Sequence, residues 1–176
     1  MVLDRAKVEA FLENAQWRAK DLSNEVSAAK IVAVKVVNSE NQTTLNCKIG
    51  EKLTFRVLFL VNAHIPMHFF LGIKNKQDQL VTCTGTYQAD APEIKMGSLG
   101  HLVCDFEITF NLEAGGYSIH FSAGMPGEGS TSQVCYDQTP PIGPINITWD
   151  YLAENAPFTG MIGLPFVCSI ASPDSL

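Results

Sequence analysis

The stretch of sequence that decides the fold is LVCDFEITFNLEAGGYSIHFSAGM, residues 102–125. Over residues 102–110 and again over residues 117–123, every second side chain is apolar, while most of those between are polar or small. Alternation with a period of two is typical of a strand that buries one face. The segment Glu-Ala-Gly-Gly, residues 113–116, separates the two runs and favours a turn. The stretch therefore predicts two strands that share one core.

The same alternation continues on both sides of this stretch. Further strands are predicted at residues 30–38, 43–49, 52–62, 66–75, 80–87, 132–137, 145–152 and 160–170. Short strands joined by turn-rich links, with no helices alternating between them, indicate an all-β fold rather than an α/β fold. The expected architecture is an antiparallel two-sheet β-sandwich.

The first 28 residues follow a different pattern. Their apolar side chains recur at helical spacing between charged residues; they are Leu3, Val8, Phe11, Leu12, Ala15, Ala19 and Leu22. This spacing predicts one amphipathic helix that ends near residues 21–24. Its apolar stripe must dock on the body of the protein, on a second copy or on a neighbouring domain. We therefore divide the chain into a helix and linker, residues 1–28, and a β-sandwich domain, residues 29–176.

The composition narrows the class of protein. The chain has 176 residues, 46% of them hydrophobic and 17% charged, which is enough apolar material for a sizeable core. Its formal net charge of −6 argues against a nucleic-acid partner, which requires clustered basic residues. No apolar run approaches the roughly 18–20 residues of a membrane span, and the start of the chain lacks the features of a signal peptide. Five cysteines without a CxxC pair indicate reduced thiols in a cytoplasmic protein.

Two sequence features resemble a nucleotide-binding site or a metal site, but each lacks residues that such a site requires. Residues 124–131, GMPGEGST, resemble a phosphate-binding loop, but Ser130 occupies the position where such a loop needs a lysine. The four histidines have no acidic residue at ligand spacing, and Pro66 separates His64 from His68. We therefore expect no bound nucleotide, no metal and no other cofactor.

The sequence gives little support to a catalytic site. No nucleophile elbow of the G-x-S-x-G type occurs. Asp105 and Glu107 share the outward face of one predicted strand, about 7 Å apart, and two such carboxylates are what a glycoside hydrolase uses. Paired acids on an outward strand face are more commonly surface charges in contact with water. A small glycan hydrolase that uses Asp105 and Glu107 is a distant alternative, and the chain is not expected to be an enzyme.

With nucleotide, metal and catalytic sites not expected, the remaining candidate is a binding surface of small polar side chains and aromatic rings. Hydroxyl and imidazole groups hydrogen-bond to sugar hydroxyls, and aromatic rings pack on the apolar face of a sugar ring. The candidate carbohydrate-binding residues are His68, Phe70, Thr82, Thr84, Thr86, His120, Ser122, Tyr136 and Trp149. Threonine is also a common strand residue and Trp149 can belong to the core, so the pattern alone leaves both interpretations open.

The order of these features resembles one known family. The matching segments are IVAVKVVN (31–38), IGEKLTFRVLF (49–59), FFLGIKNKQDQLVTCTGTY (69–87), DFEITFNLEAGGYSIHFSAGM (105–125), VCYD (134–137) and FTGMIGLPF (158–166). The hairpin GIK-turn-LV-x(3)-GT and the unit DFEITFNLEAGGYSI are the most specific of them. From about residue 29 to residue 170, the chain resembles the C-terminal carbohydrate-binding domain of Wzt, the ATPase subunit of bacterial ABC exporters of O-antigen polysaccharide.

The resemblance implies an immunoglobulin-like or jelly-roll sandwich that recognises the completed polysaccharide, including any cap on its non-reducing end, before export. It also implies a homodimer in which the C-terminal strand, residues 160–170, can be exchanged between subunits. The transporter's nucleotide-binding domain, the expected partner at the cytoplasmic face of the inner membrane, is absent from this sequence. The chain is thus expected to be either an excised domain or a related module attached elsewhere. The resemblance does not identify the glycan.

The main alternative is a structural or dimerisation module without a ligand. In that case, the face that carries the threonines and aromatic rings should be covered by protein. In the carbohydrate-binding hypothesis, the same face should be open and should reach solvent. The residue pattern does not decide which of the two sheets carries the site.

Overall fold

The computed structural model describes residues 4–20, 27–63, 65, 67–89, 99–126 and 133–165, which form one helix and ten strands. The helix is α1 (Arg5–Glu13). The strands are β1 (Trp17–Arg18), β2 (Ala29–Val37), β3 (Asn46–Lys48), β4 (Lys52–Val61), β5 (His68–Lys74), β6 (Leu80–Gly85), β7 (Gly100–Thr109), β8 (Gly115–Pro126), β9 (Gln133–Gln138) and β10 (Ile142–Thr148). The predicted all-β fold with one amino-terminal helix is confirmed.

The strands form two sheets that enclose a common core. The first sheet has four strands in the order β1-β2-β4-β7, and its pairs are antiparallel. The second has six strands, with β3-β10-β8-β5-β6 in order and β9 paired with the far end of β8. Among the described strands, β3 and β10 form the single parallel pair. This architecture is the two-sheet β-sandwich that the alternating pattern predicts.

The core between the sheets follows the predicted alternation. Every second residue of β8 from Tyr117 to Ala123 is buried, and alternate residues of β4 supply the facing layer. The ring of Phe121 lies 6.0 Å from that of Phe55 and 5.6 Å from that of Phe106, measured between centroids. Since Phe121 belongs to one sheet and the other two rings to the opposite sheet, these aromatic contacts connect the sheets.

The helix is shorter than the spacing of its apolar residues predicts. It begins after Asp4, whose carboxylate accepts a hydrogen bond from the Lys7 N–H at 2.9 Å, and it ends at Glu13. The segment that follows runs along the edge of β2, where the N–H groups of Gln16 and Ala19 donate to β2 carbonyls. The predicted helix is therefore wrong from residue 14 to residue 20, and residues 21–26 lie outside the described part of the chain. An open strand edge offers backbone partners that override a weak helical preference.

The apolar stripe of α1 docks on the body of the protein. Val8 is buried against Val32, Ala33 and Leu58, which lie on the outer face of the four-stranded sheet. The helix thus covers this sheet from outside, and β2 is buried on both of its faces. Within the described residues, no helix has the length and apolar character that crossing a membrane requires.

The carboxy-terminal segment differs from the predicted strand at residues 160–170. Residues 160–165 form no strand; Ile162 makes an isolated bridge to Leu112, and the Gly163 N–H donates to the Asn111 carbonyl at 2.8 Å. Residues 166–170 lie outside the described part of the chain. Exchange of this segment between subunits therefore stays a prediction.

Candidate binding site

The outer face of the six-stranded sheet carries polar side chains along its central strand β8. Strand β8 places Ser118, His120 and Ser122 on this surface, because the residues between them fill the core. Gly72 of β5 pairs with His120, and Asn146 of β10 pairs with Gly116. We call the surface formed by Gly72, Gly116, Ser118, His120, Ser122 and Asn146 the polar face.

The imidazole of His120 lies directly over the backbone of Gly72. A Cβ atom at position 72 would collide with Cε1 and Nε2 of the ring, so glycine is what leaves room for the ring in this position. Burial of the imidazole lowers the pKa of His120 below its ordinary value of 6.5; the charge of Lys74 lowers it further, and Asp78 opposes the shift. The ring is therefore mainly neutral at pH 7, with one nitrogen that donates a hydrogen bond and one that accepts.

The position of His120 predicts how stability depends on pH. Because the folded protein protonates His120 at a lower pH than the unfolded chain does, the unfolded state binds more protons just below pH 6.5. The free energy of unfolding should therefore fall as the pH drops through 6.5 towards the folded pKa, and this loss should be absent above 6.5. NMR titration of labelled histidines should give His120 a pKa below 6.5.

Unfolding of His120→Gln in urea at several pH values provides the comparison. The variant should lose the pH dependence that His120 contributes, whereas His101→Gln, on the four-stranded sheet, should keep it. A His120 pKa at or above 6.5 would show that burial does not control the titration of this ring.

Three of the predicted site residues lie at the turn after β6 or on the neighbouring strand β5. His68 and Phe70 of β5 are 6% and 3% exposed. Thr86, in the turn after β6, accepts a hydrogen bond from the Phe69 N–H at 3.0 Å, and its hydroxyl oxygen lies 3.1 Å from His68 Nδ1. The Tyr87 ring meets the His68 ring edge to face, with centroids 5.2 Å apart. The three predicted residues therefore pack beside the polar face; they are His68, Phe70 and Thr86.

Thr82 and Thr84 lie on the other side of the same sheet. They pair with Ile73 and Leu71, which point into the core, so both threonines face the core side. They are nevertheless exposed, because β6 is the edge strand of the sheet. The structure therefore does not bring these threonines together with His120.

The two predicted aromatic residues of the carboxy-terminal half pack against the core. Tyr136 and Trp149 are both half-buried there, and the indole Nε1 of Trp149 is buried without a hydrogen-bond partner among the described residues. Of the nine residues predicted from the sequence, the structure brings His120 and Ser122 together as neighbouring outward positions of β8.

The two carboxylates of the hydrolase hypothesis lie on the outer face of the four-stranded sheet. Glu107 forms an ion pair with Lys52 at 2.7 Å, and Asp105 forms one with Arg56 at 3.4 Å. All four side chains are at least a third exposed, and neither carboxylate borders the outer groove described below. The arrangement is that of cross-strand surface ion pairs, each carboxylate facing its own cation.

The described cysteines and acidic residues offer no reactive cluster. Cys47, Cys83, Cys104 and Cys135 are free thiols, and burial raises the pKa of Cys47 and of Cys104 to about 11. Those two thiols are therefore protonated at pH 7 and poor nucleophiles. In the described part of the chain, no three His, Cys, Asp or Glu side chains come close enough together to hold a metal ion.

A groove of about 420 Å³, which the sequence did not indicate, continues the polar face beyond Ser118. One wall is the turn between β5 and β6, and the opposite wall includes Pro141 and Pro144. Gly116 and Ser118 of β8 line the groove between these walls. We call it the outer groove. Its volume is in the range of small-molecule sites, which is about 300–1,000 Å³.

The turn that forms the first wall is held in shape by its own side chains. Asn75 Oδ1 accepts hydrogen bonds from the N–H groups of Gln77 and Gln79, both at 3.0 Å, and Asn75 Nδ2 donates to Gln79 Oε1 at 2.9 Å. Lys74 Nζ lies 3.0 Å from Asp78 Oδ1, and Asp78 adopts a positive φ of 61°. A ligand in the outer groove would therefore meet a preorganised wall.

The chain contains a second turn of the same design. NSENQ at residues 38–42 and NKQDQ at residues 75–79 share an Asn-x-x-x-Gln pattern. Asn38 makes the same three side-chain hydrogen bonds, to the N–H groups of Glu40 and Gln42 and to the Gln42 side chain. This repeated pattern is the sequence signal that could have indicated a preorganised turn at residues 75–79.

The chemistry of the polar face and outer groove suits a polyhydroxylated ligand. Ser118, Ser122 and neutral His120 can each both donate and accept hydrogen bonds. Pro141 and Pro144 add apolar surface for the C–H face of a ring. The described side chains of this region supply binding groups without a nucleophile and base in contact.

Comparison with known proteins identifies the family. The sequence matches the family model of the Wzt C-terminal domain over residues 23–164, which starts after α1 and β1. The fold matches the crystal structure of the C-terminal domain of Wzt with a TM-score of 0.70 and 15% sequence identity, covering 92% of this chain and 95% of that one. No curated protein matches the sequence. Because the family model covers most of the chain, this protein belongs to the Wzt C-terminal domain family.

Proposed function

We propose that this protein is a non-catalytic carbohydrate-binding module that recognises bacterial O-antigen polysaccharide for export by an ABC transporter. The observation that carries the proposal is a row of polar side chains at alternate positions of β8, on the fold of this family. It runs along β8 from Ser122 past His120 and Ser118 into the outer groove. Family membership supplies the biological context, and this surface supplies the chemistry.

His120 and Ser122 are the proposed direct contacts among the residues expected from the sequence. Ser118 and Asp78 extend the site into the outer groove. His68, Phe70 and Thr86 are proposed to hold β5, and with it Gly72, in position beneath the His120 ring. A few hydrogen bonds in an open groove correspond to a Kd on the order of 10 μM to 1 mM.

Four of the predicted residues lie outside the main site in this proposal: Thr82, Thr84, Tyr136 and Trp149. Thr82 and Thr84 form a separate exposed strip on the edge strand, where a long glycan or a second protein could contact them. Tyr136 and Trp149 contribute mainly to the core. Thus the site proper is centred on β8, on the six-stranded sheet.

The proposed partners follow from the family. The module would act beside the nucleotide-binding domain of the transporter, on the cytoplasmic face of the inner membrane, as a homodimer. Two sites in one dimer would raise the effective affinity for a polymer with repeated epitopes. We also propose the division at residue 28, between a helix and linker and the β-sandwich domain.

The test compares two histidine variants in a titration with O-polysaccharide from the source strain. His120→Ala removes about one hydrogen bond to the glycan, worth about 0.5–1.5 kcal/mol, so affinity should fall roughly 2- to 10-fold. His101→Ala is the matched control, since His101 lies on the four-stranded sheet, and its affinity should equal that of the parent. Calorimetry or NMR shift mapping gives both values.

Two outcomes would contradict the proposal. If the parent protein binds neither its own O-polysaccharide nor one of another serotype, the structural or dimerisation module becomes the better interpretation. If the polysaccharide binds but both histidine variants behave like the parent, the site lies elsewhere on the domain.

A further inference from the structure

Residues 4–19, which we call the strap, are held on the four-stranded sheet by a small number of contacts. The helix α1 at the start of the strap has nine residues, and Val8 is its single buried residue. Isolated helices shorter than about 12–15 residues are marginal in water. The strap is therefore expected to be helical when it is docked and unfolded when it is released.

The rest of the strap pairs with the edge of β2. The Gln16 N–H donates to the Val34 carbonyl and the Ala19 N–H donates to the Val32 carbonyl, both at 2.9 Å. The Gln16 side chain also pairs with Val36: its Oε1 accepts from the N–H at 2.7 Å, and its Nε2 donates to the carbonyl at 3.4 Å. Release of the strap would leave all of these β2 groups without their present partners.

The surface on which α1 docks includes a β-bulge in β2. Ile31 pairs with Phe59 of β4 and Ala33 pairs with Leu58, so Val32 is an extra residue in β2. The bulge places the consecutive side chains of Val32 and Ala33 in one apolar cluster with the helix and Leu58. Docking of the helix therefore depends on the shape of this bulge.

A carboxylate from the six-stranded sheet holds the bulge. Asp137 Oδ2 of β9 accepts a hydrogen bond from the Ile31 N–H at 2.6 Å. The Ser27 hydroxyl oxygen lies 2.7 Å from the Tyr136 carbonyl oxygen, which is a second connection between β9 and the chain before β2. At its other edge, β9 pairs with β8 at Ser122, on the polar face. Asp137 thus lies between the polar face of one sheet and the docking surface of α1 on the other.

We propose that Asp137 is a latch that keeps the strap docked and couples it to the six-stranded sheet. While the carboxylate holds the Ile31 N–H, the bulge presents Val32 and Ala33 to α1. When that bond is lost, the bulge relaxes, α1 loses its docking surface and the edge of β2 opens. The strap precedes residue 23, where the match to the family model begins, so family membership does not predict this device.

Hydrogen exchange, measured by NMR on the full chain, tests the latch. Asp137→Ala should lower the protection of the Gln16 and Ala19 amides by about tenfold or more, while the amides that join β4 to β7 keep the protection of the parent. Asp137→Asn keeps a side-chain oxygen at this position and should retain most of the protection. Glu107→Ala is the matched control, because this carboxylate lies on β7, at the other side of the same sheet, and should leave the strap unchanged.

The coupling can also be measured from the strap. Gln16→Ala removes two bonds to β2 without touching Asp137, and it should lower the protection of the Ile31 amide together with that of the Ala19 amide. Parent-like protection of the strap in Asp137→Ala would overturn the inference. An equal loss across the strap and the β4–β7 pair would overturn it too, because Asp137 would then act on the whole fold. If Asp137→Ala does not fold, a parent-like Ile31 amide in Gln16→Ala would overturn the coupling.

The latch predicts that the strap responds to a ligand on the polar face, a step that rests on the proposed function. A glycan bound at Ser122 should restrain β9, and with it Asp137. Saturating O-polysaccharide should therefore raise the protection of the Gln16 and Ala19 amides by about fivefold or more in the parent and leave it unchanged in Asp137→Ala. Binding without this rise would overturn the response of the strap. Absence of binding would overturn the proposed function instead, and the exchange measurements on the variants would still decide the latch.

Discussion

Phe121→Ala is expected to lower the free energy of unfolding by about 3–5 kcal/mol. Phe121 is fully buried in β8, and its ring contacts Phe55 and Phe106 of the opposite sheet. Truncation removes apolar surface from the core and leaves a cavity where the two sheets meet, which a rigid sandwich can fill only in part. Because domains of this size are stable by about 5–15 kcal/mol, the loss is a large fraction of the total.

Urea unfolding followed by tryptophan fluorescence measures this loss. Tyr151→Ala is a suitable control, because Tyr151 is 54% exposed in the segment after β10, and its cost should stay below about 1 kcal/mol. A cost below about 1 kcal/mol for Phe121→Ala would show that the aromatic contacts between the sheets do not hold the sandwich together. Phe121 also lies between His120 and Ser122, so conditions that unfold the variant should abolish glycan binding at the same urea concentration.

The sheets could be predicted from the sequence because burial of one strand face leaves a direct pattern. Residues 102–110 and 117–123 alternate in the sequence and alternate in the structure. Each strand needs only its own residues to show which face is apolar. The helix prediction is wrong from residue 14 to residue 20 for the opposite reason. Ala15 and Ala19 continue a helical spacing, but the N–H groups of residues 16 and 19 find partners on β2, which lies far away in sequence.

The candidate site was harder to predict because it depends on strand register. Alternation places Thr82 and Thr84 on one face of β6 but does not say which face that is. Pairing with Leu71 and Ile73 decides it and turns both threonines away from His120. His68 and Phe70 alternate with core residues, yet they are buried as well, and Tyr87 of the turn after β6 packs against His68. The outer groove combines a turn, residues of β8 and two prolines near β10, and no local pattern connects such residues.

Asn75→Ala is expected to lower both the stability of the protein and its affinity for the glycan. The equivalent substitution in the other turn, Asn38→Ala, allows the two effects to be separated. The substitution removes three side-chain hydrogen bonds that shape the residue 75–79 turn, which should cost about 1–3 kcal/mol of stability. Asn38→Ala removes the same three bonds from the residue 38–42 turn and should cost a similar amount. Thermal or urea unfolding of the two variants measures both costs.

The two variants should differ in how they bind the glycan. Asn75 borders the outer groove, whereas the residue 38–42 turn does not. A loosened wall must be ordered again on binding, so Asn75→Ala should bind O-polysaccharide roughly tenfold more weakly than the parent. Asn38→Ala should bind like the parent despite its lower stability. Equal affinities in the two variants would mean that the turn acts only on stability, and that the glycan does not depend on the wall that this turn provides.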